Sequence, residues 1–167
     1  STINIYKKKI EEQKNVDMKL NYLKKKTPLT LDNLRVHIEA NIDNPDEAKE
    51  AMKIGIDGIG LLRSEYMFMD KKRMPSEKEQ YEFIRKTLSY LKGKPLTIRT
   101  LDVGNDKKVP FIEKFLSKSP NPALGLRAIR LTLAYPKVFK RQISAILRAR
   151  RFGKIRIMLP MVSNVSE

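Results

Sequence analysis

The chain of 167 residues contains no cysteine. That excludes disulfides, thiolate nucleophiles and cysteine-ligated metal, and it is compatible with a cytoplasmic location. Histidine occurs once, as His37, so a site built from several imidazoles is excluded as well. No apolar run approaches the roughly 20 residues that a membrane-spanning helix needs. The opening residues STINIYKKKIEEQ are charged, and no secretory signal is expected there. Acidic residues are scarce. Asp and Glu number 19 against 35 Lys and Arg, for a net charge of +16. Such a surplus invites a nucleic-acid reading. Its distribution argues against one: lysines are scattered as KKK at 7–9 and 24–26 and KK at 71–72 and 107–108. The one dense arginine cluster is Arg148, Arg150 and Arg151, with no RNA-binding or zinc-finger signature beside it. Diffuse lysine reads as solvated surface, so neither nucleic acid nor membrane is the expected partner.

What is present is a regular alternation. Residues 3 to about 26 read as a lysine-rich helix with a weak apolar stripe of Tyr6, Ile10, Met18, Tyr22 and Leu23, broken at Thr27-Pro28. Val36–Ile42 alternates into a first strand, with His37 in its middle, read as a packed or surface strand residue. Asn44 suits an N-cap and Pro45 a first helical position, and Gly55 suits the stop. The stretch Ile59–Asp70 is read as the second strand. Ser76 and Glu79 form a capping box before Tyr81, Ile84, Leu88 and Leu91, with Gly93 ending the helix. The third strand runs from Pro95 to about Asp102. The segment 111–125 reads as a loop on its two prolines. Leu126 to Ala134 is read as one helix, and Pro136 opens another that stops at Gly153. Ile155–Met161 is a fourth strand. Strands alternating with helices imply an α/β fold with a parallel sheet and crossover helices. A barrel needs eight strands and about four are legible, so the expectation is a partial (β/α)8 TIM barrel and a fragment. The expected division is a linker helix at 1–30 and the first half of a barrel at 31–167.

Two apolar runs end in arginine: Ile59-Gly60-Leu61-Leu62 runs into Arg63, and Leu96-Thr97-Ile98 into Arg99. A cation at the carboxyl end of a buried strand sits at the mouth of the sheet, where parallel α/β folds bind ligands. Guanidinium forks suit phosphate or carboxylate. Ordinary strand-end ion pairs are the alternative, against which the repetition of the pattern counts. Asp102 either joins Asp106 on Mg²⁺ or holds Arg99 in orientation. Arg127 and Arg130 lie three apart at a helix start. Either one of them points to the mouth of the sheet, or both are surface charges, where Arg130 is left. The glycines of GIDGIG at 55–60 have the wrong order for a dinucleotide fingerprint and are read as helix stop and turn before the strand.

The runs ANI at 40–42, GIGLLRSEYMFMD at 58–70, TIRTLDVGNDKKVP at 97–110, NPALGLRAIR at 121–130 and the closing RFGKIRIMLPMVSNVSE occur together. In this order and spacing they resemble Enzyme I of the bacterial phosphoenolpyruvate-dependent sugar phosphotransferase system, over essentially the whole chain. Pyruvate phosphate dikinase and phosphoenolpyruvate synthase share the barrel but lack the run that Arg99 to Lys107 carries. They and a non-catalytic basic binding module are the alternatives.

The resemblance implies a (β/α)8 barrel that binds phosphoenolpyruvate at the carboxyl ends of its strands. Arg63, Arg99 and Arg127 would hold the phosphate, with Asp102 in the same pocket. It implies Mg²⁺ as cofactor, a protein histidine as phosphoryl acceptor, and a small histidine-containing phosphocarrier protein as the next partner, reached through an N-terminal domain. It also implies a homodimer of the full-length protein. The family's metal-ligating Glu and Asp, its Cys and its phosphohistidine match nothing in these 167 residues. The chain alone is therefore expected to hold the phosphate clamp without turnover. Asn105 stands where the family has glycine.

Overall fold

The computed structural model describes residues 2–24, 26–69, 71–104, 109–113, 121 and 125–167. The chain divides into two compact units, Ser1–Ile38 and Glu39–Glu167.

The first unit is a helix, α1 (Thr2–Leu23), followed by a tight turn. No residue of α1 is buried, as its imperfect apolar stripe implies. After it, Leu29 bridges Arg35 in antiparallel fashion, the Thr30 hydroxyl accepts from the Leu34 amide at 3.0 Å, and Asn33 takes φ of 64°. This turn draws in Val36, whose amide donates to the Pro28 carbonyl at 3.0 Å. Val36, His37 and Ile38 are therefore not strand, contrary to the alternation, and all three are exposed. The strand begins at Glu39, where the pairing with the next strand begins.

The second unit carries β1 (Glu39–Ile42), α2 (Pro45–Ile54), β2 (Gly58–Arg63), α3 (Glu77–Leu91), β3 (Leu96–Arg99), α4 (Pro110–Glu113), α5 (Ala128–Ala134), α6 (Pro136–Ala149) and β4 (Ile155–Met158). The four strands form one parallel sheet in the order β1-β2-β3-β4. Sequential order with helical crossovers is the arrangement of a partial (β/α)8 barrel, since a doubly wound sheet reverses its order at a switch point. Among the described residues no helix is long and apolar enough to cross a membrane.

The helix signals work as their chemistry requires. The Asn44 side chain accepts from the Glu47 amide, and Gly55 closes α2 in the left-handed region at φ 91°. Ser76 and Glu79 form a reciprocal capping box on α3. Lys92 and Gly93 both take positive φ past its end. Two connections differ from the sequence reading. Pro110–Glu113 turns once as helix inside the segment read as loop, and the rest of that segment lies largely outside the described residues. Arg127 precedes α5 as its N-cap, and Ala128 takes φ of 51°, a costly conformation for a residue with a Cβ. The second strand ends at Arg63, and residues 64–67 form a 3-10 turn.

Two apolar clusters position everything else. The larger joins one face of the sheet (Ile59, Leu62, Leu96, Ile98) to α2, α3 and α6. The smaller gathers Met67, Phe68, Leu101, Val103, Val109 and Leu131 beneath the strand ends. It anchors the segments just beyond β2 and β3, which carry the polar residues described below.

The glycines of the 55–60 run are a correction. Only Gly55 is a helix stop, while Gly58 and Gly60 lie within β2. A Cβ on Gly60 would stand 3.1 Å from the Glu39 Cβ, and one on Gly58 2.8 Å from both Cγ and the carbonyl oxygen of Pro95 and 3.1 Å from Glu39 Oε1. Gly60 makes room for the Glu39 side chain and Gly58 chiefly for Pro95. Arg156 of β4 donates through Nη2 to both Glu39 carboxylate oxygens at 2.6 Å. The first and last strands are thus tied across the two between them.

The α3 cap also sets an acid limit. Arg73 first, then the Ser76 amide and hydroxyl, hold the Glu79 carboxyl down from 4.5 to about 2. A depressed folded pKa contributes stability above the unfolded value that is lost as pH falls toward the folded one. Melting temperature is therefore expected to fall between about pH 4.5 and 2. Glu79→Gln should start lower and show a shallower decline across that window; thermal melts at stepped pH check it.

Candidate functional site

Arg63 ends β2 and Arg99 ends β3, and the two are register partners. Neighbouring cations on adjacent strands repel, so the site needs anions between and around them. Three carboxylates supply them. Asp43, just past β1, accepts from Arg63 Nη1 at 3.0 Å. Glu65, in the turn after β2, pairs with Arg99 through Nη2. Asp102, just past β3, stands 3.5 Å from Arg99 Nη1 through Oδ2. Its Oδ1 accepts from Arg127 Nε at 3.2 Å and Nη2 at 3.0 Å. Arg63, Arg99, Arg127 and Asp102 are thus brought to one edge of the sheet. Arg130 pairs with Glu167 at 3.5 Å instead, while Asp106 and Asn105 lie outside the described residues.

Exposure grades the three arginines. The Arg63 side chain is 41 % exposed, that of Arg99 20 % and that of Arg127 13 %. Glu65 is fully buried. A buried carboxylate persists charged only with a close cation and hydrogen bonds, so Glu65 and Arg99 depend on each other. Arg99 Nε is buried and has no hydrogen-bond partner among the described residues. A guanidinium offers more N–H donors than the Arg99 pairings use, and so retains capacity for an oxyanion. Tyr66 extends the network outward: its hydroxyl is held above the usual phenol range by hydrogen bonding to Asp43 and by that carboxylate's charge.

Sequence reasoning found the arginines and Asp102 but missed Asp43 and Glu65. The only signal was a carboxylate one to three residues past a strand's carboxyl end, as Asp102 also is: Asp43 directly follows Ile42, and Glu65 fell inside the stretch read as the second strand.

The model of the PEP-utilising enzyme, PEP-binding domain, matches residues 17–167. The chain belongs to this family. Phosphoenolpyruvate-protein phosphotransferase of Staphylococcus epidermidis is 44 % identical over 139 residues, 83 % of this chain and 24 % of that protein. The protein of the same name from Staphylococcus carnosus is 41 % identical over 164 residues, 98 % of this chain and 27 % of its own length. That of Borreliella burgdorferi is 39 % identical over 166 residues, 99 % and 29 %. The chain thus spans about a quarter of the curated relatives it matches. The family agrees with the resemblance read from the motifs, and with the parallel α/β architecture.

The described residues do not suit Mg²⁺ by themselves. No three His, Cys, Asp or Glu among them converge on one point, and Asp43, Glu65 and Asp102 are each engaged by a guanidinium. Mg²⁺ takes carboxylate and phosphate oxygens that are free to ligate.

Proposed function

We propose that this chain supplies the phosphate-binding part of a phosphoenolpyruvate-protein phosphotransferase, and that its ligand is phosphoenolpyruvate. The observation that carries this reading is the in-register pair Arg63 and Arg99 at the carboxyl ends of adjacent strands. Phosphoryl transfer asks the protein chiefly to position the group and to offset its charge. Arg63, the most exposed of the three, meets the incoming phosphate; Arg99, oriented by Glu65 and Asp102, takes a second oxygen; Arg127 reaches the same edge from α5. Each arginine exchanges part of its contact with a carboxylate for contact with the phosphate, so the site is charge-balanced before binding.

The same reading carries the phosphoryl group to a histidine of the N-terminal part of such an enzyme and on to a phosphocarrier protein. It takes Mg²⁺ from ligands other than the described residues, a homodimer for the full-length protein and a cytoplasmic location. The linker helix at 1–30 and barrel half at 31–167 belong to it, as does the absence of turnover by this chain alone.

The test is calorimetric titration with phosphoenolpyruvate, then with pyruvate, at low ionic strength. Phosphoenolpyruvate is expected to bind and pyruvate, which lacks the phosphate, to bind at least about tenfold more weakly, a difference of about 1.4 kcal/mol. Equal affinity for the two would refute a phosphate clamp.

A further inference from the structure

Gln142 lies on α6, a helix outside the ligand edge, yet it is fully buried. Its neighbours on the same helical face, Ala145, Ile146 and Ala149, are ordinary core residues. A long amide at such a position is costly unless all of it is used. Here both ends are used. The Leu101 amide donates to Gln142 Oε1 at 2.9 Å, and Gln142 Nε2 donates to the Ser64 hydroxyl at 2.9 Å. The orientation is not arbitrary. A backbone N–H only donates, so it must meet the amide oxygen, which leaves the NH₂ for the hydroxyl.

What the amide joins is specific. Ser64 lies between Arg63 and Glu65; Leu101 lies between Arg99 and Asp102, one residue beyond Thr100. One side chain therefore pins the chain just past β2 to the chain just past β3. These two points carry both register-paired arginines and the two carboxylates that orient Arg99. The strand ladder fixes the strands themselves but stops at Arg63 and Arg99. Beyond that point Gln142 adds a hydrogen-bonded link between the two chain segments, beside the Glu65–Arg99 pair and the shared apolar cluster.

The geometry points to Gln142 as a positioning residue that sets the spacing of Arg63 and Arg99 for a phosphate, without touching the ligand. This inference rests on the phosphate-binding reading for its purpose, though not for its geometry. The substitution that probes it is Gln142→Met, which keeps the volume and loses both hydrogen bonds. Gln80→Met is the control: Gln80 is also a buried helical glutamine, on α3, but its Nε2 donates to the Pro75 carbonyl at 3.0 Å, away from the arginines.

Two readouts are taken on the full 167-residue chain. The first is affinity for phosphoenolpyruvate by calorimetry, at a temperature where each variant is folded. The second is the set of arginine Nε–Hε resonances in the unliganded protein. Gln142→Met is expected to weaken binding about tenfold or more, since small misplacements of binding groups are expensive. It should also move the Arg63 and Arg99 resonances. Gln80→Met should lower the melting temperature alone. If Gln142→Met behaves like Gln80→Met, lowering stability with affinity and arginine resonances unchanged, the residue is structural and the inference is overturned. If the unaltered chain shows no affinity for phosphoenolpyruvate, the ligand reading fails by itself, and the resonances decide the positioning role.

Discussion

Arg63→Ala is expected to weaken phosphoenolpyruvate binding by about 10- to 100-fold while leaving the melting temperature nearly unchanged. The first half follows from chemistry. A charge-assisted hydrogen bond contributes about 1.5–3 kcal/mol, and each 1.4 kcal/mol is tenfold in affinity. The second half follows from exposure. The Arg63 side chain is 41 % exposed, and its pair with Asp43 is of the solvated kind, worth at most about 1 kcal/mol. Removing the guanidinium leaves Asp43 with the Tyr66 hydroxyl as a remaining partner. Affinity and stability therefore separate at this position. Paired calorimetry and thermal melts measure both. A variant that binds as tightly as the parent would remove Arg63 from the site.

Glu65→Ala is expected to do the reverse, costing stability first. Glu65 is fully buried against Arg99, whose side chain is only 20 % exposed. Removing one member of such a pair leaves the other charge uncompensated, at about 3–5 kcal/mol. Asp102 lies 3.5 Å from Arg99 Nη1 and offsets part of that, which places the effect near the low end. For a chain of this size about 3 kcal/mol lowers the melting temperature by roughly 6–12 °C. The double variant Glu65→Leu with Arg99→Met should recover much of the loss, because an apolar pair carries no desolvation cost. It should not recover ligand binding. A thermal melt in which Glu65→Ala matches the parent would show that the carboxylate contributes nothing to holding Arg99.

The architecture was largely legible because its signals are local. Apolar runs ending in Arg63 and Arg99, the Asn44-Pro45 start, the Gly55 stop and the Ser76–Glu79 box each declare themselves within a few residues. What stayed hidden depends on partners far along the chain. Glu65 meets Arg99 at a separation of 34 residues, and Gln142 meets Ser64 at 78. Nothing near Gln142 distinguishes it from any polar residue on an amphipathic helix. The reading of Val36–Ile38 as strand failed for a related reason. Alternation measures suitability for a sheet, and a strand also needs a neighbour; β2 offers pairing only from Gly58, opposite Glu39. Gly58 and Gly60 differ from the sequence reading because the groups that need their missing Cβ atoms, Pro95 and Glu39, lie elsewhere in the chain.

The Glu39–Arg156 link has a consequence for how the chain is made. Its two ends are 117 residues apart, and a ribosome adding about 5–20 residues per second takes roughly 6–23 s to cover that distance. Throughout that interval β1 has emerged and its carboxylate waits for a guanidinium not yet synthesised. Sheet pairing at long separation is slow in any case, because loop closure must precede the contacts that reward it. Among the described strands the latest-made, β4, ties down the earliest, β1, so a nascent polypeptide stalled short of Arg156 lacks that tie.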